Sequence, residues 1–352
     1  MELRWDVFCR VIDNFGDIGV SWRLARNLAL RGQHVRLWID DASALRWMAP
    51  EGIPARIEVL EWQQSVHASS VGDVVIETFG CELPEAFIAR MAARQPAPRW
   101  INLEYLSAEP YVERSHGLTS PQFSGPGQGL KKRFFYPGFT ARTGGLLREP
   151  GLLASQATFD REHWLAAQGI EAQPGERLVS LFAYPNPSLP QLLEKLAATP
   201  TLLLACPGSA QDALPSLKLP EFIRWRPLPY LSQDDYDHLL WACDLNLVRG
   251  EDSFVRAQWA AQPMVWQLYP QSDGAHAHKL DAFLDLWLTG TAPELAGPLR
   301  GLWKAWNGLG SWADLTPPEL RRMRAHAKSW RDRLTQQADL CEQLLGFVRE
   351  NS

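Results

Sequence analysis

The strongest constraint in this chain is that its apolar residues come in short runs, each followed by a segment of helical spacing. Trp5-Asp6-Val7-Phe8-Cys9, Val35-Arg36-Leu37-Trp38-Ile39, Val74-Val75-Ile76-Glu77-Thr78 and Arg99-Trp100-Ile101-Asn102-Leu103 have the length and content of buried parallel strands. Helical periodicity fills the gaps, as in Ser21–Ala29 and Leu83–Ala93. This alternation predicts a parallel sheet covered by helices on both faces. A second series begins near Arg177, with strands expected at Leu178–Tyr184, Thr201–Ala205, Phe222–Trp225 and Leu245–Val248, and helices at Ser188–Ala198, Gln233–Ala242 and Phe254–Ala260. The stretch between the two series is rich in Ser, Gly and Pro, and Lys131-Lys132-Arg133 within it reads as a solvated strand edge. From Pro318 the chain reads as one or two amphipathic helices. At 352 residues two domains are the natural expectation. The fold class is therefore α/β, with two Rossmann-like domains facing a cleft. The expected boundaries are 1–153, 154–317 and a C-terminal helical segment, 318–352, packing back across the domain junction.

The first strand opens onto Arg10-Val11-Ile12-Asp13-Asn14-Phe15-Gly16-Asp17-Ile18-Gly19-Val20. Asp13 and Asp17 thus fall at the carboxyl end of a parallel strand, where open α/β sheets place their ligands. Gly16 and Gly19 permit a sharp turn and close approach by a substrate. The loop lacks the G-x-G-x-x-G fingerprint, and its two carboxylates would repel a diphosphate. A cationic or proton-donating acceptor suits it better. The competing structural use of Asp17 is to cap the helix that follows.

Arg249-Gly250-Glu251-Asp252-Ser253 is the second chemical cluster, again between a strand end and a helix start. The amides and dipole of a helix start suit a diphosphate, with Ser253 as hydroxyl donor and Arg249 or Arg256 as counter-charge. Glu251 and Asp252 would then hold sugar hydroxyls or ribose. Phe182 and Tyr184, two residues apart at a strand tip, point the same way and either sandwich a nucleobase or join the core. Gln233-Asp234-Asp235-Tyr236-Asp237 reads as a helix start. His276 and His278 near Asp273 read as an exposed loop without a third metal ligand. Apart from Asp235-Tyr236-Asp237 within that helix start, no convincing D-x-D metal site occurs.

A net charge of −5 gives no reason to expect a nucleic-acid partner and is compatible with a basic protein partner. No apolar segment is long enough to span a bilayer. The five cysteines are scattered without metal spacing, and Met1-Glu2-Leu3-Arg4 runs straight into a strand, so a cytoplasmic protein with reduced thiols is expected. Sixteen Trp point mainly to core and interface packing.

Several blocks carry a more specific likeness: Asp13–Val20 with Trp22-Arg23-Leu24-Ala25-Arg26 behind it, Phe79-Gly80-Cys81-Glu82-Leu83-Pro84, Asn102–Glu109, Phe134–Phe139 and Arg249–Trp259. In these the chain resembles the EarP family, protein-arginine rhamnosyltransferases that modify translation elongation factor P. The resemblance implies a GT-B glycosyltransferase fold, dTDP-β-L-rhamnose as donor, an inverting transfer to one arginine of elongation factor P, and no cofactor or metal. It implies acceptor binding by the N-terminal half, through the loop bearing Asn14, Phe15, Gly16 and Gly19. It implies donor binding by Phe182, Tyr184, Arg249, Gly250, Glu251, Asp252 and Ser253. Asp17 is the expected base, with Asp13 orienting the guanidinium (the reverse assignment is also open) and Glu251 acting near the sugar. A GT-B enzyme using another nucleotide sugar on a small acceptor, and a non-catalytic sugar-binding protein, are the rival readings.

Overall fold

The opening apolar run forms β1 (Arg4–Cys9), of which all but the first residue are buried. The structure is a computed structural model and describes residues 2–12, 15–271, 274–313 and 319–350. After β1 come the helix Gly16–Leu30 and β2 (His34–Ile39), in parallel register from Arg4 opposite His34 to Cys9 opposite Ile39. β3 (Ile57–Glu61), β4 (Val74–Thr78), β5 (Arg99–Leu103), β6 (Thr119–Pro121) and β7 (Lys131–Phe135) complete a seven-stranded sheet in the order β3-β2-β1-β4-β5-β7-β6. Only the short β6 is antiparallel to its neighbour, and it covers β7, which is therefore not the edge that its three basic residues predict. β2 and β4 flank β1 on opposite sides, so the chain changes winding direction there. The loop after β1 stands at that topological switch point.

Period-two alternation divides the core between the two faces of this sheet. Trp5, Val7 and Cys9 pack with Ile18, Leu24 and Leu28 of the first helix on one side. Phe8 turns to the other, against Trp38, Val75, Phe87 and Trp100.

The second sheet is wholly parallel: β8 (Arg177–Leu181), β9 (Thr201–Ala205), β10 (Ile223–Pro227), β11 (Leu245–Arg249) and β12 (Met264–Gln267), in the order β10-β9-β8-β11-β12. It repeats the winding of the first sheet, with its switch point between β8 and β11. Helices at Leu189–Leu196, Gln233–Ala242 and Asp252–Ala260 lie close to the sequence expectation. Much of the tryptophan is spent in this half, where Phe254 stacks on Trp266 at 3.8 Å and Phe283 packs on Trp287 and Trp303.

Two compact units result, one of Met1–Pro150 with Gln336–Ser352, the other of Gly151–Thr335. The final helical segment is thereby divided. Leu320–Leu334 belongs to the second unit, whereas Leu340–Glu350 buries Leu340, Cys341, Leu344 and Val348 in the core around β1. Asp339 fixes that return: it accepts the amides of Cys341 and Glu342 at 3.0 and 3.1 Å and pairs with Arg31, at the end of the first helix, at 2.5 Å. The boundaries 1–153, 154–317 and 318–352 differ from this division, because the apolar face of the last helix is claimed by the first core.

Two further expectations are corrected. β8 ends at Leu181, so Phe182 and Tyr184 stand beyond the strand rather than in it. His276 and His278 lie in the helix Ala275–Trp287, not in a loop, and Asp273 lies outside the described residues. Among the described residues no helix is long and apolar enough to cross a membrane. All five cysteines are buried thiols.

Candidate active site

Asp17 is the second residue of the helix Gly16–Leu30 and is buried. Its Oδ2 accepts the amide of Ile12 at 2.8 Å, and the Tyr105 hydroxyl stands 3.5 Å from Oδ1. The N-cap position belongs to Phe15, which makes no side-chain cap. Asp17 therefore closes the preceding loop onto the first helical turn, where a carboxylate also gains from the helix dipole. Gly16 and Gly19 lie inside the helix instead of forming the turn; at i and i+3 they leave one face of its start bare of side chains. Phe15 packs edge-on against Trp47 at 5.1 Å. Asp13 and Asn14 lie outside the described residues.

Around Asp17 are the ends of neighbouring strands. Beyond β4, Phe79 (φ 58°), Gly80 (φ 66°) and Glu82 (φ 47°) adopt left-handed backbone, and the Phe79 ring stacks on Tyr105 at 4.3 Å. Gly80 donates its amide to Asn102 Oδ1 at 3.1 Å, and Asn102 Nδ2 donates to Glu104 Oε1 at 2.7 Å. Burial, and then the nearby Glu77, hold the Glu104 carboxyl above the usual carboxylate range. Burial also pushes the Cys9 thiol up to about 12, which keeps it protonated and unreactive beside the loop. Sequence reasoning assigned no role to Phe79 or Tyr105. Their signal was position, since each follows a strand of the sheet on its carboxyl side.

In the second unit Arg249 ends β11, and its guanidinium lies over the rings of Phe182 and Tyr184, 4.3 and 4.4 Å from their centroids. The two aromatics do converge, but on Arg249 rather than on a gap left for a base. Gly250 takes the left-handed turn (φ 63°), and its carbonyl accepts the Trp266 indole at 2.8 Å. Glu251 occupies the N-cap position of Asp252–Ala260. Ser253 Oγ accepts the Arg249 amide at 3.1 Å and donates to the Arg249 carbonyl, so the hydroxyl clips strand to helix. Arg256 is not available as a counter-charge, because Asp237 holds it through Nε and Nη2 at 2.8 and 2.6 Å and both side chains are buried.

Among the described residues no group of three or more His, Cys, Asp or Glu is placed to hold a metal ion. A cavity of about 950 Å³ lies elsewhere in the second unit, at the amino ends of β8 and β11, between Arg177, Lys195, Asp244 and Arg324.

Two Rossmann-like units in one chain, each with polar residues gathered at the carboxyl end of its sheet, make up the GT-B architecture. The calicheamicin glycosyltransferase CalG4 has the same fold, with a TM-score of 0.54 over 99% of both chains at 15% identity. Residues 5–349 match the family described as Elongation-Factor P (EF-P) rhamnosyltransferase EarP. The protein-arginine rhamnosyltransferase of Pseudomonas aeruginosa is 44% identical over 98% of this chain and 99% of its own length. A solved structure concerned with EarP-mediated arginine glycosylation of translation elongation factor EF-P matches at 33% identity, with a TM-score of 0.68 over 99% of this chain and 100% of that one. The chain belongs to the EarP family.

Proposed function

We propose that this protein transfers L-rhamnose from dTDP-β-L-rhamnose to one arginine of translation elongation factor P, with inversion at the anomeric carbon and without a metal. The family supports the sugar and the arginine acceptor. The observation that carries the chemistry is Asp17: a buried carboxylate at the switch point of the first sheet, with one oxygen anchored by a backbone amide and the other facing a hydroxyl. A cytoplasmic reaction fits an acceptor that is a factor of translation.

An arginine guanidinium is a poor nucleophile, because it stays protonated well above neutral pH. A carboxylate binds it through charge-assisted hydrogen bonds and directs one nitrogen at the sugar. As that nitrogen bonds to the anomeric carbon, the bond from the carbon to the diphosphate oxygen breaks and its electron pair leaves with dTDP. The proton released from nitrogen passes to Asp17 as base. Asp13 orients the guanidinium, and Glu251, nearer the sugar, stabilises the positive charge that develops there. The departing diphosphate gains negative charge, which Arg249 and the start of Asp252–Ala260 offset. One displacement from the face opposite the diphosphate inverts the anomeric centre.

The test is incubation with elongation factor P and dTDP-β-L-rhamnose, beside parallel reactions with UDP and GDP sugars, followed by intact mass. A deoxyhexose increment from the dTDP sugar is expected. No increment with active donor and folded acceptor, or an equal one from another nucleotide sugar, would overturn the reading.

A further inference from the structure

Three adjacent strands, β1, β4 and β5, end around Asp17, and the residues beyond β4 and β5 are held in an unusual arrangement. Left-handed backbone is costly for an aromatic residue, yet Phe79 adopts it, and Glu82 does so three positions later. Contacts from β5 and from within the turn maintain that geometry. Phe79 donates its amide to the Leu103 carbonyl at 2.7 Å, Cys81 to the Thr78 carbonyl at 3.2 Å and Gly80 to Asn102 Oδ1 at 3.1 Å. The product of the strain is a near-parallel stack, with the Phe79 and Tyr105 rings 4.3 Å apart and inclined by 12°. Tyr105 is 41% exposed, so this ring is spent at the surface beside Asp17 and not in the core.

We infer that Tyr105 is a positioning residue for the transfer, its hydroxyl aligning the Asp17 carboxylate and its ring receiving the face of the acceptor guanidinium. The inference rests on the proposed arginine transfer and deepens it. A guanidinium is a flat cation with donors around its edge, so full recognition takes a carboxylate at the edge and an aromatic ring against the face. Asp17 supplies the first and the stacked pair the second. Oδ2 is tied to the Ile12 amide at 2.8 Å, and the Tyr105 hydroxyl meets the other oxygen, Oδ1, so the two contacts bear on both ends of the carboxylate. The 3.5 Å from Tyr105 Oη to Oδ1 is long for a hydroxyl–carboxylate bond, and such contacts shorten when the substrate's charge completes the site.

Steady-state kinetics on elongation factor P, with donor affinity by calorimetry, test this in wild type, Tyr105→Phe and Tyr105→Leu. Tyr105→Phe keeps the ring and removes the hydroxyl. Its kcat should fall by about tenfold or more, the scale of a hydrogen bond to a charged group, with acceptor KM within about twofold. Tyr105→Leu should add a rise of about fivefold in acceptor KM as the aromatic face is lost. Donor affinity should match wild type in both. A kcat for Tyr105→Phe within about twofold of an active wild type would overturn the inference alone, and so would loss of donor affinity in both variants. An inactive wild type would overturn the arginine-transfer reading as well.

Discussion

Arg256 and Asp237 are joined by two hydrogen bonds, Nε to Oδ1 at 2.8 Å and Nη2 to Oδ2 at 2.6 Å, in a pair buried from solvent on both sides. The pair fastens the helix Asp252–Ala260 to the helix Gln233–Ala242. Breaking a buried pair leaves an uncompensated charge, at a cost of about 3–5 kcal/mol. Arg256→Met should therefore lower the unfolding midpoint strongly and lose donor binding in step with folding. Arg249→Met should behave differently, weakening donor affinity while the unfolding midpoint moves far less. Denaturant unfolding and calorimetry on the two variants check the contrast; equal behaviour would contradict the roles given to these arginines.

Asp17→Asn keeps the size of the side chain and removes its charge and its capacity as a base. Turnover should drop by about 10²-fold or more, the scale of a positioned acid or base. Affinity for dTDP-rhamnose should stay close to wild type, because the residues proposed to hold the donor belong to the other unit. Steady-state rates and calorimetry on the same preparation measure both.

The sheets were legible in the sequence because buried parallel strands are continuous apolar runs, and β1, β2, β4, β5 and β9 need no partner to be recognised. The ends of β1 and β11 were legible because charged residues and glycine interrupt the apolar runs there. Contacts that depend on a third dimension were not. Nothing in the spacing of Asp237 and Arg256 says that one neutralises the other. Phe182 and Tyr184 were seen to point one way, but their common target, Arg249, is 65 residues or more along the chain. The destination of the last helix was hidden for a related reason: its apolar face fits any α/β core, and the pairing of Asp339 with Arg31, which ties it to the first unit, joins residues far apart in sequence. Phe79 was hidden because a left-handed aromatic residue runs against local preference and exists only where its surroundings enforce it.

Ser253→Ala removes the clip between β11 and the donor helix, whose hydroxyl both accepts from and donates to Arg249. Losing that buried hydroxyl should cost about 1 kcal/mol of stability and weaken donor affinity through the helix start. Asp252→Ala should weaken donor affinity with a smaller stability change, since the Ser253–Arg249 clip stays in place. Unfolding and donor titration of both variants check the ordering.

Burial lowers the His116 pKa from its ordinary value of 6.5. Between the folded and unfolded pKa values the unfolded chain binds more protons, so stability rises with pH there. It should therefore fall as pH drops below 6.5, the loss completing below the lowered folded pKa. His326, also lowered by burial, acts in the same direction. Urea unfolding at neutral and mildly acidic pH should show the loss, and His116→Gln should reduce it without abolishing it.

The donor account uses a helix start and Arg249 for the diphosphate and assigns no step to a cation. Chelator treatment should leave the initial rate unchanged. A large loss restored by Mg²⁺ or Mn²⁺ would contradict it.

The most direct test of the central claim is an NMR spectrum of the glycosylated arginine isolated from elongation factor P after reaction with dTDP-β-L-rhamnose. It reads the sugar, the atom that carries it and the anomeric configuration together. The account predicts α-linked rhamnose on a guanidino nitrogen. A β linkage, or a sugar attached through oxygen, would contradict it.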